Sequence, residues 1–305
     1  MSFRLFSTLS IIFCWLSWIP LSSADTVILA KPKSEHDPRQ EYAKKLLELV
    51  LNYPDQQTSE STQSQTSHRT HAYKVIYSTH SHSRERIKQR MLEGKDIDVQ
   101  ATATRPDWEQ DLLPIRIPIF KGLLGYRILL IHKVQQQEFA NITHLEELKD
   151  KQAILGTQWS ITPIWKTLGF NTLTNLEYES LFKVIQFQRA DYFPRGVNEI
   201  LQEHIRFQPT YQDLTIEQTK GLYLPLPMYF FVSPKRPELA RRIEENLENM
   251  IVTGDFSNFF HDHYDKTIET LNINNRKIFY LDNPNLPAKT PLNRKELWYV
   301  PQQSL

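Results

Sequence analysis

Residues 189–200 read RADYFPRGVNEI, and the reading of this stretch decides the fold. A buried-looking Ala-Asp-aromatic strand runs into an Arg-Gly turn at Arg195 and Gly196 and then into the start of an apolar helix. Strand, short turn and helix in immediate succession are the punctuation of an α/β unit. The same stretch can also form the wall of a ligand site, and the rest of the chain has to separate the two readings.

Working outward, the elements before it repeat the alternation. HLEELKD (144–150) reads as a helix, QAILG (152–156) as a strand, and a helix opens near Thr162 and Pro163. Proline is well placed at a first helical position, with Ser160 or Thr162 available as a cap. NTLTNLE (171–177) is then a strand and YESLFKVIQF (178–187) a helix. An earlier set has the same character: strand TVILA (26–30), a helix over 41–53, strand YKVIYST (73–79), a helix over 83–95 and a strand ending in VQATA (99–103). Strand, helix and strand with short exits predict parallel βαβ units. Two such sets predict two lobes with a cleft between them.

The glycine-spaced segment RIPIFKGLLGYRILLIHK (116–133) is where the chain is expected to leave one lobe for the other. GLYLPLPMYFFVS (221–233) reads as a strand, 237–254 as a long amphipathic helix, and 277–301 as a Pro-rich aromatic tail packed over a lobe. The expected division is first lobe 25–121 plus 222–305 and second lobe 122–221. The polar insert QQTSESTQSQTSHRTH (56–71) has almost no apolar residue and reads as a loop.

The first residues indicate export. Arg4, an apolar run from Leu5 to Leu21, and the small residues Ser22, Ser23 and Ala24 have the layout of a cleavable secretory signal over 1–24. The single cysteine, Cys14, falls inside that signal, so the exported chain is expected to form no disulfide, thiol nucleophile or cysteine metal site. That favours a bacterial periplasm. Lys+Arg 36 against Asp+Glu 35 gives no basic surplus of the kind nucleic acid attracts.

The order of these motifs resembles the type II periplasmic solute-binding proteins, specifically family 3, which includes polar amino acid receptors. The residues that carry the resemblance are IDVQATATR (97–105), AILGTQWS (153–160), QRADYF (188–193) and the closing helices over 237–264. The resemblance implies two α/β lobes joined by two crossover strands, with ligand bound between them and closure about the hinge. It also implies that an arginine for the ligand carboxylate belongs at the position of Asp107 and an aspartate for the ligand ammonium at Gly196. This chain carries Arg105 and Arg195 nearby instead, which puts an ordinary α-amino acid ligand in doubt.

The candidate ligand-binding residues are therefore Thr102, Thr104, Arg105, Trp108, Gly156, Thr157, Gln158, Trp159, Tyr192 and Arg195. The GTQWS loop leads into a helix N-terminus, which favours an anion. Arg105 and Arg195 offer charge-assisted bonds, or else pair internally, as Arg105 can with Asp107. Trp108, Trp159 and Tyr192 are stacking candidates, with a core position as the alternative. Asp191 reads as a structural acceptor for loop amides. Arg195→Ala is expected to abolish a ligand-induced thermal shift with little change in the solute-free melting point.

His68, His71, His80, His82, His261 and His263 occur in groups, but no nearby cysteine or well-placed carboxylate completes a shell, so no metal and no cofactor is expected. No hydrolase elbow, HExxH, P-loop or dinucleotide fingerprint is present. The expected function is capture of a small polar, anionic solute by a monomer that hands it to an inner-membrane ABC transporter or a sensor. The alternatives are a dehydratase-like enzyme on the same fold, using Glu35 or Asp37 as the acid or base, and an interaction module that has lost its ligand.

Overall fold

The computed structural model describes residues 25–32, 38–54 and 72–301. The expected signal over 1–24, the whole polar insert 56–71 with His68 and His71, and Glu35 and Asp37 lie outside these residues. In chain order the first lobe opens with β1 (Asp25–Lys31), α1 (Pro38–Leu51), β2 (Tyr73–Ser81), α2 (Arg84–Leu92), β3 (Val99–Ala103), α3 (Pro106–Asp111) and β4 (Leu113–Ile115). The second continues with β5 (Tyr126–His132), α4 (Gln136–Ala140), α5 (Leu145–Asp150), β6 (Ala153–Gly156), α6 (Ile161–Thr167), β7 (Thr172–Asn175) and α7 (Tyr178–Gln186). It goes on through β8 (Tyr192–Gly196), α8 (Val197–Phe207), β9 (Leu214–Ile216) and β10 (Lys220–Tyr223). The chain then makes β11 (Met228–Val232), α9 (Pro237–Thr253), α10 (Asp255–Thr270) and β12 (Lys277–Tyr280).

Two sheets result. The first has five strands in the order β2-β1-β3-β11-β4, and the second has seven, β12-β10-β5-β8-β6-β7 with β9 paired to β5. In the first, β1 lies parallel to β2 and β3, while β11 runs antiparallel to β3 and β4. Parallel pairs need a crossover helix, and α1 supplies one by burying Leu46, Leu47, Val50 and Leu51 at 0% exposure against the sheet. Helix α9 closes this lobe: Pro237 stands in its first turn, Gly254 ends it at φ 88°, and Leu239, Ala240, Ile243, Leu247 and Met250 form its buried stripe.

Two differences from the sequence reading bear on the site. The apolar run 221–233 is not one strand but two, β10 in the second sheet and β11 in the first. Pro225 and Pro227 lie between them; each lacks the N–H a sheet ladder needs, so the run breaks there and becomes a crossover. The second difference is β12. It was grouped with the first lobe, but it pairs parallel with β10 at the edge of the second sheet. The chain thus passes between the sheets three times, after β4, after β10 and after α10.

The first two passages run side by side. Leu224 N–H donates to Gly125 C=O at 3.2 Å, and Ile119 N–H donates to Met228 C=O at 3.0 Å. The turn at Lys121 and Gly122 has φ of 46° and 73°, a left-handed pair. A Cβ on Gly122 would come within 2.5 Å of the Trp298 ring, so glycine is required there for space as well as conformation. The tail meets both passages instead of resting on one lobe: Leu281 N–H bonds Tyr223 C=O at 2.7 Å and Tyr299 N–H bonds Lys121 C=O at 2.7 Å. Arg294 anchors the tail to α9 through both oxygens of Glu248, at 2.6 and 2.8 Å.

Candidate functional site: a buried ion cluster between the lobes

The register of the second sheet builds the site. Strands β5 and β8 are antiparallel with Arg127 opposite Gly196, so a residue next to the hinge faces the point where β8 turns into α8. At that turn Glu199, the third residue of α8, reaches back to accept the Gly196 N–H at 3.1 Å. This arrangement satisfies one of the free amides at the helix start. Its carboxylate is then surrounded: Arg39 from α1 at 2.6 Å, Arg195 at 3.2 Å and Arg127 at 3.6 Å. Arg39 belongs to the first lobe, so this ion pair crosses between the lobes.

Arg195 is held further by Glu203, with its Nε and Nη2 donating to the two oxygens at 2.6 and 2.5 Å. Its guanidinium also lies 4.5 Å from the centre of the Trp159 ring. Tyr178 Oη donates to Glu203 at 2.6 Å. Burial alone would raise the Glu199 carboxyl, but Arg195, Arg39, Arg127 and the Gly196 N–H together lower it to about 2. Burial would lower Arg195 too, and Glu199 with Glu203 reverses this and raises it.

Arg127 is different. Burial lowers it to about 10, the neighbouring Arg195 and Arg39 charges push the same way, and Glu199 offsets only part of this. Its Nε is buried and makes no hydrogen bond. Both side-chain amide atoms of Asn198, a residue 6% exposed, are also buried without partners. Such groups cost about 1–3 kcal/mol each when left unsatisfied.

Three of these groups converge on Gly196. A Cβ there would lie 2.7 Å from Asn198 Oδ1, 2.9 Å from Glu199 Oε2 and 3.4 Å from Arg127 Nη1. The Asn198 amide can swing aside, whereas Glu199 is fixed by its arginines. Gly196→Ala is accordingly expected to cost about 1–3 kcal/mol, as an overpacked site does. Comparison of its melting curve with that of the unaltered protein checks this, and an unchanged midpoint would show that the cluster yields freely.

The residues singled out on sequence fall into separate groups. Thr102 and Thr104 are buried at the end of β3, where Thr102 Oγ1 accepts from Arg84 and Thr104 Oγ1 donates to Glu109 at 2.6 Å. Arg105 pairs with Asp107 at 2.9 Å and approaches Glu85 at 3.7 Å, so it forms the internal pair that was its alternative. Trp108 and Tyr192, expected as stacking surfaces, are core residues at 1% and 0% exposure. Trp108 packs edge-on to Phe231, and Tyr192 packs edge-on to Phe139, so neither offers a face to a ligand.

Trp159 folds back onto Gly156, whose Cβ would come within 2.4 Å of the indole, and stacks on Phe193 and Arg195. Thr157 and Gln158 are exposed. Thr157 N–H is taken by Asn175 C=O at 2.9 Å and Trp159 N–H by Gly156 C=O at 3.1 Å, so these two amides of the GTQWS loop are engaged within the protein and are not offered to an anion. Arg195 is also corrected. Its bidentate bond to Glu203 gives it a partner within the protein, and Arg195→Ala would weaken the solute-free protein itself.

Asp191 is a structural acceptor, taking Gln152 N–H at 2.7 Å and Gln135 Nε2 at 3.0 Å. Sequence reasoning missed Arg39, Arg84, Arg127, Asn198, Glu199 and Glu203. The one available signal was the spacing of Glu199 and Glu203, one turn apart on the same face of α8, with Arg195 just before that helix at the end of β8.

No family model and no curated protein matches the sequence. Solved structures do. An ancestral arginine-binding protein bound to glutamine superposes with a TM-score of 0.52 over 79% of this chain and 99% of its own, at 14% identity. An ancestral arginine-binding protein bound to arginine gives 0.50 over 78% and 98%, at 15% identity. An amino acid ABC transporter substrate-binding protein from Streptococcus pneumoniae, bound to L-arginine, gives 0.50 over 80% and 94%, at 8% identity. The class is therefore defined by fold: this chain has the two-lobed fold of periplasmic binding proteins, in agreement with the motif order. The neighbours are described as binding proteins, and about a fifth of this chain lies outside their match.

Proposed function

We propose that this chain is an exported solute-binding protein that takes a small polar ligand of net negative charge between its lobes, for delivery to an inner-membrane ABC transporter or a sensor. The fold supports the binding role, and the description of the Streptococcus pneumoniae neighbour as a substrate-binding protein of an amino acid ABC transporter points to the same partner class. The layout of residues 1–24 supports export. Among the described residues, no helix is long and apolar enough to cross a membrane.

The observation that carries the ligand class is Arg127. Among the described residues Glu199 is its one carboxylate within 4 Å and is shared with two other guanidiniums, and its Nε is left without an acceptor. A carboxylate or phosphate oxygen supplies both the missing charge and the missing acceptor, in the charge-assisted geometry arginine favours.

The test is a thermal-shift screen of dicarboxylates, phosphorylated metabolites, amino acids and short peptides on the unaltered protein and on Arg127→Met. An anion should raise the melting temperature of the former, since a ligand at 100 times its Kd stabilises the folded state by about 3 kcal/mol. Arg127→Met should lose that shift, with affinity reduced at least 30-fold, on the order of 2 kcal/mol. Without ligand it should be no less stable, because an apolar group replaces an under-compensated buried charge. A shift given only by neutral or cationic compounds, or one retained in full by Arg127→Met, would refute the anion assignment.

A further inference from the structure

The ion pair between Arg39 and Glu199 has features of a ligand contact. Arg39 stands in the first turn of α1 and Glu199 in the first turn of α8, so the 2.6 Å contact joins one lobe to the other. The Glu199 side chain is 8% exposed and that of Arg39 28%, so the acid is the more deeply buried partner of the pair. Beside them is a cavity of about 220 Å³ bounded by α1, α8 and α10, with Tyr42, Asn198, Glu199, Gln202 and His263 on its walls. Asn198, which lines this wall, keeps its side-chain amide buried and without a partner. Glu41 and Lys45, also on the wall, are paired with each other at 2.8 Å. The contents of the site are thus a buried carboxylate, a free amide and a cation supplied by the opposite lobe.

We propose that Arg39 is a tethered cationic occupant of the Glu199 position, which holds the two lobes together without solute and restricts the site to ligands that carry no positive group. A cation on a ligand would have to displace a guanidinium whose effective concentration, fixed by the backbone of α1, is in the millimolar range or above. Were Arg39 to stay in place, such a cation would be the fourth positive group around one carboxylate, after Arg39, Arg195 and Arg127. Like charges crowded at low dielectric repel strongly. The specificity half of the proposal rests on the cleft being a solute site; the closing half does not.

Arg39→Ala and the unaltered protein are to be compared by small-angle scattering and by thermal shift, with methylguanidinium as the probe. The truncated variant should have the larger solute-free radius of gyration. Methylguanidinium should contract it and raise its melting temperature, binding at least ten-fold more tightly than to the unaltered protein. Arg39→Gln should behave as Arg39→Ala does and serves if the alanine variant does not fold. Adding Glu199→Gln to either should remove the response.

A solute-free Arg39→Ala as compact as the unaltered protein overturns the closing role. Equal methylguanidinium binding by the two overturns the occupancy. Failure of the anion screen would remove the solute reading and leave the rescue result standing, so the two failures are told apart.

Discussion

Replacement of Glu199 with glutamine is expected to lower the melting temperature by on the order of 10 °C, from a loss of about 3–5 kcal/mol. The reason is what remains behind. Three guanidiniums are arranged about this carboxylate, and two of them, Arg127 and Arg195, are each 5% exposed. With a neutral amide in its place, Arg195 keeps Glu203, but Arg127 loses the carboxylate 3.6 Å from it and keeps only the more distant Glu203.

The pH dependence has a definite sign. The folded-state carboxyl is lowered from 4.5 to about 2, so its contribution is complete above the unfolded value and is lost as pH falls from 4.5 towards 2. Glu199→Gln should lack this part of the acid destabilisation, and its curve of stability against pH should converge on that of the unaltered protein near pH 2. Calorimetric scans across this range check both points. Parallel curves would mean that Glu199 does not carry the ionic load assigned to it.

Replacement of Glu217 with alanine should cost a similar amount at the other end of the second lobe, with a different signature. Glu217 is 0% exposed and accepts from Thr219 N–H at 2.9 Å, Thr219 Oγ1 at 2.6 Å, Lys220 N–H at 2.6 Å and Gln136 Nε2 at 3.0 Å. Arg276 completes the set at 3.4 Å and bonds the Lys220 carbonyl at 3.0 Å, which docks β12 beside β10. Burial lowers Arg276 to about 10 even with Glu217 present. Without that acid the arginine is a buried charge with no counter-ion, at a cost of about 3–5 kcal/mol.

The expected readout is hydrogen exchange. Amides of β12 and of the tail at Tyr299 should lose protection, because β12 is held by Arg276 and the tail follows it back to the hinge. The strands of the first sheet should keep theirs. Retained protection in β12 would show that its pairing with β10 stands without the ion pair.

These two acids also mark how far the sequence could be read. Alternating strands and helices were legible because each element carries its own period, two in a strand and about 3.6 in a helix, and RADYFPRGVNEI shows both within twelve letters. Asp191 was legible as a structural acceptor, since a strand-end acid has only nearby amides to serve. The crossover inside 221–233 was obscured because both of its halves are apolar; only Pro225 and Pro227 mark the break, and prolines also occur on edge strands. The docking of β12 onto β10 depends on a partner strand and on Glu217, neither of which is near it in sequence.

For the site, the sequence by itself determined that position 196 carries no side chain and that arginines stand close to where acids or bases were expected. It also offered Trp108 and Tyr192 as equals of Trp159, since an aromatic at a strand end looks the same whether its ring is buried or not. Only the tertiary structure decided which charges meet. Arg39 lies on α1, Arg127 on β5 and Glu199 on α8, and it takes the antiparallel register of β5 with β8 and the closure of one lobe on the other to bring them within 3.6 Å of a common carboxylate. Charge pairing acts through distance in space, and local sequence fixes such distances only within a turn or two of the same helix. That is why Glu199 and Glu203, one turn apart on α8, could have been read from the letters as a pair, and Arg39 with Glu199 could not.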